Sequence, residues 1–237
     1  MICLAFDSTA KAASVAVTDG DRLLALYTID NGLTQSELLL PMAENILNSL
    51  KLGFDDVDIY ADAVGPGSFT GVRIGASLVK GLAFGKGKPC VAVSTLDALA
   101  DNLLGLEGIY APVMDARRGQ VYTALFRCEG GEVTRLTEDM AISVREFAER
   151  LGEFADTKIY LSGDGYETAR ASLTDFGVAV ENTPTLLLLE NAYSVARCAV
   201  RKYEAGEYVS DKEIAPTYLR MPQAERERLE RLKGEGK

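Results

Sequence analysis

Two aspartates stand at matching places in the sequence, and both could take part in phosphate chemistry. Asp7 and Asp115 each end an apolar segment typical of a strand, and each is followed by a short polar turn and another apolar segment. A carboxylate in that position could orient a magnesium-bound water, provided that glycine lets a phosphate approach the adjacent turn. The first turn has no glycine, and the second sets Arg117 and Arg118 beside Gly119. Turn formation by the two carboxylates is the alternative interpretation.

Glycine-rich turns follow two further strand-like segments. The first, GPGSFTG at 65–71, precedes a helical pattern, so its backbone N–H groups and the helix dipole could hold an anion. Its spacing matches neither the dinucleotide-binding motif nor the P-loop. Alternatively, Gly67, Gly71 and Gly75 form a bare stripe that lets another helix pack closely. The second turn, SGDGYE at 162–167, could accommodate an adenine, although G-D-G is typical of a simple turn.

The composition excludes several classes of enzyme. The 237 residues contain no histidine, which removes histidine-ligated metal centres, Ser-His and Cys-His nucleophiles, and imidazole bases. The four cysteines form no CxxC pair and predict neither a zinc site nor a disulfide framework. A formal net charge of −10 opposes direct binding of a polyanion. No apolar run is long enough to span a membrane, and the N-terminal MICLAF is typical of a strand, so we expect a cytoplasmic globular protein.

Apolar periodicity predicts an α/β protein with two similar lobes. Three strands in the first 29 residues form an antiparallel meander, and a capping box at Thr34 and Glu37 predicts a helix from Gln35. Strands and helices then alternate. The unit of strand, aspartate and turn recurs at Asp115, which suggests a repeat. The predicted domains are a first lobe, a second lobe and a charged tail at residues 1–105, 106–220 and 221–237.

Three later segments are assigned to the second lobe. KIYLSG at 158–163 and GVAVEN at 177–182 have the apolar patterns of strands. The segment at 186–206 predicts a long amphipathic helix. All three are expected to complete the second half of the repeat.

The helix predicted at 35–50 has an unusually wide apolar arc. Contact with a single core requires a narrower stripe than the one present here. Burial of its second side by a partner protein and a deeply internal position both explain the pattern.

Five segments carry a resemblance to a known family. They are LAFDSTAKAASVAV, TQSELLLPMAENIL, GPGSFTGVRIG, MDARRGQVYTALF and APTYLRMPQAER. Together, and in this order along nearly the whole chain, they resemble the TsaB family, also called YeaZ. The resemblance implies an α/β fold of two RNase H-like lobes of the actin, Hsp70 and sugar-kinase type, which agrees with the repeat.

The resemblance also implies a function. Members of this family are partner subunits in the synthesis of N6-threonylcarbamoyladenosine (t6A) in transfer RNA. The similar catalytic subunit TsaD uses a histidine-bound metal to transfer a threonylcarbamoyl group from its adenylate to adenosine 37 of ANN-decoding tRNAs. A chain without histidine is therefore expected to be non-catalytic and to have no cofactor or metal of its own. It is expected to contact tRNA only through the complex. The implied partners are TsaD, the ATPase TsaE and, when the chain is alone, a second copy of itself.

The same resemblance places a partner interface on the first two helices, at residues 35–50 and 72–84. The predicted interface residues are Leu38, Leu39, Met42, Ile46, Val72, Arg73, Gly75, Ala76 and Val79. Replacing Met42 with glutamate is expected to abolish the complex and spare the fold. Relatives commonly have histidine where this chain has Gln35, so we expect that position to need a polar helix-start residue. A nucleotide near the junction with TsaD is implied, without assigned residues.

Overall fold

The computed structural model describes residues 1–220 of the chain. The predicted charged tail, residues 221–237, lies outside the described residues. No helix within the described part is both long enough and apolar enough to cross a bilayer.

The first lobe is built on a five-stranded sheet with the order β3-β2-β1-β4-β5. The strands are β1 Ile2–Asp7, β2 Ala13–Asp19, β3 Arg22–Ile29, β4 Ile59–Gly65 and β5 Cys90–Ser94. The first three form the predicted antiparallel meander, whereas β4 pairs in parallel with β1, and β5 pairs in parallel with β4. Parallel pairing requires crossover connections, and helices provide them between β3 and β4 and between β4 and β5.

Two helices, α1 (Gln35–Ser49) and α2 (Phe69–Ala83), cover one face of this sheet. The predicted capping box starts α1, since the N–H and hydroxyl of Thr34 donate to the Glu37 carboxylate at 3.1 and 2.7 Å. Ser68 caps α2, because its hydroxyl accepts a backbone N–H from the first turn at 3.2 Å. Both helices therefore begin at sites that the local sequence specifies.

The second lobe repeats this arrangement around its central strand β6. Its elements are β6 Gly108–Asp115, β7 Gln120–Thr123, β8 Phe126–Glu129, β9 Glu132–Arg135, β10 Met140–Ser143, α4 Val144–Gly152, β11 Ile159–Ser162 and α5 Tyr166–Asp175. β7 and β8 pair with β6 in one continuous antiparallel register, so they act as a single interrupted strand. β10 and β9 pair outside them, and β11 joins β6 in parallel. The predicted α/β class and the predicted repeat are confirmed.

Two segments after β11 differ from the expectation. The strand predicted at 177–182 does not form. The segment makes one backbone hydrogen bond to β11, from the Glu181 N–H to the Ile159 carbonyl at 2.8 Å, and its two valines pack against the second-lobe core. The helix predicted at 186–206 is shorter, since α6 spans only Ala192–Glu204. Asn191 sets its start, because the Asn191 side chain accepts the Ser194 N–H at 3.1 Å.

The chain returns to the first lobe at α6, so the prediction that this helix completes the second lobe is wrong. α6 packs on the sheet face opposite α1 and α2, in a core that it shares with β1, β4, β5 and the helix α3 (Thr95–Asp101). Val209 and Cys90 then exchange two backbone hydrogen bonds of 2.9 Å, and Ile214 enters the core under α1 and α2. These contacts attach residues 209–214 to the first lobe. The predicted boundary between residues 105 and 106 stays a prediction.

Candidate functional site

A cleft of about 830 Å³ lies between the two lobes. Its walls are the turn after β1, the start of α2, the turn after β6, the start of α5 and the C-terminal segment. The charged residues of these walls are Lys11, Asp30, Asp115, Arg117, Arg118, Asp164, Glu190 and Arg220. Cations and carboxylates are thus mixed in the cleft. A site that binds a polyphosphate is lined mainly by cations and backbone N–H groups, so the charges of this cleft do not match such a ligand.

The two aspartates of the repeat form turns and are not equivalent. Asp7 is buried and its Oδ1 accepts the N–H and the hydroxyl of Thr9 at 2.9 and 2.7 Å. Asp115 is half-exposed and its Oδ1 accepts the Arg117 N–H at 2.7 Å. Only Asp115 lines the cleft, so the structure favours the turn interpretation over paired phosphate chemistry.

The glycine stripe of α2 packs on the first hairpin turn, and the expected second helix is not its neighbour. A Cβ at Gly67 would lie 2.5 Å from the Thr9 carbonyl oxygen, and one at Gly71 would collide with the Ser8 carbonyl. A Cβ at Gly75 would collide with the Asp62 carboxylate. The stripe therefore permits close packing, as the structural alternative predicts, but against a turn and a strand.

The G-D-G segment after β11 is a turn that fastens this corner of the cleft. Gly163 donates to the Leu188 carbonyl at 2.7 Å, and Gly165 donates to the Val113 carbonyl at 3.1 Å. The Asp164 carboxylate accepts the Asp115 N–H at 3.0 Å. All three residues are therefore engaged in joining the turn to its neighbours.

Buried carboxyl groups cluster beside the cleft. Neither oxygen of Asp62 has a hydrogen-bond partner within residues 1–220, and burial together with the nearby Asp7 carboxylate raises its pKa well above the ordinary value. Burial raises the pKa of Asp7 to about 6, against the opposing effect of its hydrogen bonds from Thr9. Burial, together with the charges of Asp7 and Asp164, raises the pKa of Glu190 to about 8. Of these three groups, Asp62 lies against Gly75 of α2, so close packing of this helix accompanies burial of its carboxyl group.

We expect Asp62→Asn to stabilise the protein at pH 7 by about 1 to 3 kcal/mol and to have little effect at pH 4. An unfolded aspartate loses its proton near pH 4, whereas the folded Asp62 keeps it to higher pH, so the wild-type free energy of unfolding falls as pH rises through this window. Urea unfolding at both pH values measures the difference. The exposed Asp21→Asn is the control and should follow the wild type. Equal stabilities of wild type and Asp62→Asn at both pH values would contradict the raised pKa of Asp62 in the folded protein.

The nine predicted interface residues divide between the core and the surface. Six have side chains that are at most 5% exposed, namely Leu39, Met42, Ile46, Val72, Ala76 and Val79. Gly75 is buried as well, Leu38 is partly buried, and Arg73 is exposed. The buried six can influence a partner only by positioning the helices. Met42→Glu would place a charge in the core, so it cannot be expected to spare the fold.

The outward face of the two helices carries other residues, which sequence reasoning missed. The exposed ones are Leu40 on α1 and Ser77, Gly81 and Phe84 on or just after α2, and the partly buried ones, which also pack against the core, are Ile74, Leu78 and Leu82. Phe84 is 73% exposed and Leu40 is 38% exposed. Helical periodicity carries this information, because the apolar row Val72, Ala76 and Val79 marks the buried side of α2, and Ser77 and Gly81 fall on the opposite side. We call this set the α1–α2 face.

Gln35 has the role that its position at the helix start suggests. Its side-chain amide donates to the carbonyls of Ala10 and Lys11 at 2.9 and 3.3 Å. These bonds tie the start of α1 to the first hairpin turn. A polar side chain is therefore required there for a structural reason.

Comparisons with known proteins agree on one family. A family model described as TsaD, tRNA N6-adenosine threonylcarbamoyltransferase, matches residues 34–228. The tRNA threonylcarbamoyladenosine biosynthesis protein TsaB of Bacillus subtilis is 29% identical over 98% of this chain and 100% of its own length. TsaB of Haemophilus influenzae is 31% identical over 92% of each chain. The solved structure of YeaZ from Pseudomonas aeruginosa is 26% identical, with a TM-score of 0.73 over 92% of this chain and 99% of its own.

Proposed function

Because the chain belongs to the TsaB (YeaZ) family, whose place is in t6A biosynthesis, we propose that it is a non-catalytic subunit that binds and activates TsaD. TsaD would then transfer the threonylcarbamoyl group to adenosine 37 of ANN-decoding tRNAs. The interaction would bias TsaD towards its active conformation, since a partner that binds one state more tightly increases the population of that state. A cytoplasmic location accompanies this role.

The observation that supports the proposal most is the α1–α2 face. Leu40 in the first half of α1 and Phe84 just after α2 expose large apolar side chains. Along α2, Ile74, Leu78 and Leu82 are partly exposed while they also pack against the core. An apolar patch with a polar rim is typical of a protein–protein contact. The small residues of α2 would let a partner helix approach closely. A second copy of the chain could use the same face, in which case a homodimer and the TsaD complex would exclude each other.

The chemistry of the chain supports a non-catalytic role. Histidine is absent from its sequence, so it lacks the metal ligand that the resemblance implies for TsaD. Of the paired aspartates, Asp7 is buried in a turn and does not line the cleft. The catalytic groups and any coupling ATPase are therefore assigned to partners, TsaD and TsaE, and contact with tRNA to the complex.

Reconstituted transfer tests this proposal. We expect the purified chain to form no t6A on tRNA supplied with threonylcarbamoyl-adenylate, and to hydrolyse no ATP in the presence of magnesium. Adding it to TsaD from the same organism should increase t6A formation by at least about tenfold, the effect of roughly 1.4 kcal/mol on the barrier. Transfer by the chain alone would refute the non-catalytic assignment. Equal activity of TsaD with and without the chain would refute activation.

A further inference from the structure

An aromatic and arginine cluster lies where the C-terminal segment meets the start of α2. The rings of Phe69 and Tyr218 have their centroids 5.1 Å apart. The Arg73 guanidinium lies 3.8 Å from the Phe69 ring centroid, and its Nε donates to the Tyr218 hydroxyl at 2.8 Å. Arg73 is exposed and Tyr218 is 42% exposed, so the cluster is accessible from solvent. We call these three residues the Arg73 cluster.

The chain on both sides of Tyr218 is anchored, by a backbone hydrogen bond before it and by a side-chain hydrogen bond after it. Thr217 donates to the Val64 carbonyl at 2.8 Å, and Ile214 is buried in the first-lobe core. On the other side, Arg220 donates to the Ala116 carbonyl of the second lobe at 3.2 Å. Tyr218 is thereby held in place, and Tyr218 in turn orients Arg73. A side chain that is ordered before binding loses less conformational entropy when a ligand arrives.

The Arg73 guanidinium retains donors without a carboxylate to satisfy them. Its Nε donates to the Tyr218 hydroxyl. Within residues 1–220 no acidic side chain forms an ion pair with Arg73. A planar guanidinium matches a carboxylate through two parallel hydrogen bonds. Lys80 adds a second cation on the same side of α2, where it donates to the Lys212 carbonyl at 3.3 Å. The α1–α2 face therefore has a basic border along the C-terminal segment.

We propose that the Arg73 cluster extends the α1–α2 face and binds a carboxylate on the surface of the partner protein. Its residue types, Arg, Tyr and Phe, are those that contribute most energy at protein interfaces. Phe69 and Tyr218 also line the cleft between the lobes, while Arg73 lies one helical turn from Ser77 of the α1–α2 face. A protein carboxylate is favoured over an RNA phosphate, because a chain with net charge −10 repels a polyanion. This inference rests on the proposed function and adds the C-terminal segment to its interface.

Titration calorimetry with TsaD from the same organism tests this assignment. We expect Arg73→Ala to weaken binding by about 10- to 100-fold and to reduce its dependence on salt. Tyr218→Phe keeps the ring and removes only the oxygen that orients Arg73, so a loss of about three- to tenfold is expected. Arg73→Lys keeps the charge without the planar fork and should fall between wild type and Arg73→Ala. The matched control is Arg145→Ala, since Arg145 is also exposed and lies 5.4 Å from the Phe176 ring.

The outcomes separate this inference from the proposed function. If wild type binds and only the Arg73 and Tyr218 variants weaken, with unchanged thermal unfolding, the cluster is part of the interface. If wild type binds and Arg73→Ala binds equally well, the inference is wrong and the proposed function stands. If Arg73→Ala affects only retention of tRNA by the complex, the ligand is a phosphate and the inference is wrong. If wild type does not bind, the proposed function fails first.

Discussion

Replacing Gly81 with arginine should abolish binding to TsaD and leave the fold intact. Gly81 is exposed on α2, and a Cβ built there has no heavy atom within 4 Å, so the side chain would project away from the protein. With Ser77 it forms the small-residue row through which a partner helix could approach. An arginine in that row would separate the surfaces and bury a charge, and a loss of about 100-fold or more is expected. Titration calorimetry with purified TsaD measures it.

Gly152→Arg is the matched control for this experiment. Gly152 ends α4 in the second lobe, is exposed and also has no atom within 4 Å of its built Cβ. The Gly152→Arg variant should bind TsaD with the same affinity as the wild type. The helix of the Gly81 variant should be no weaker, because glycine is less favourable than arginine inside a helix by up to about 1 kcal/mol. Wild-type affinity of Gly81→Arg would place the interface elsewhere.

Gly71→Ala should produce the largest loss of stability. Its Cβ would collide with the Ser8 carbonyl oxygen, and that turn cannot easily retreat. The Ser8 hydroxyl donates to the Gly71 carbonyl at 2.9 Å, and the Ser68 N–H donates to the Thr9 carbonyl at 2.7 Å. Moving α2 outward would break these bonds and open the core beneath it. We expect the free energy of unfolding to fall by about 3 kcal/mol or more.

Urea unfolding followed by circular dichroism measures this loss, and Gly81→Ala on the same helix is the control. Both changes add one methyl group to a helical glycine, but only the methyl group at Gly71 meets backbone. Gly81→Ala should keep or increase stability by up to about 1 kcal/mol. If the two variants were equally stable, α2 would not pack against the first turn as described.

The fold was predictable because local signals and the repeat agree with it. The capping box at Thr34 and Glu37 fixed the start of α1, and the aspartate turns revealed the two lobes. The return of α6 to the first lobe was not predictable, since an amphipathic pattern shows that a helix has an apolar face but not which sheet covers it. The valines at 177–182 also misled the prediction. Alternating apolar and polar residues occur where one side of a segment is buried, whether or not the segment pairs as a strand.

The interface predicted on the first two helices stays a prediction, and burial in the structure shows only that most of the side chains named for it are not on the surface. Large apolar residues such as Met42 and Val79 attracted the prediction, and these residues fill the core. The outward residues Ser77 and Gly81 are small. In the proposed interface they would leave space for a partner helix, and residue type alone does not indicate such a role. The contribution of Tyr218 depends on a contact with Arg73 that spans 145 positions of sequence, and periodicity carries no information about such a contact.

Size-exclusion chromatography with light scattering, on the chain alone and mixed with TsaD from the same organism, tests whether the two proteins bind each other. We expect a heterodimer to form and any homodimer of the chain to disappear as it does, because both assemblies use the α1–α2 face. Mixing that leaves the two proteins at their separate masses, with nucleotide present or absent, would contradict the claim that this chain is a binding partner of TsaD.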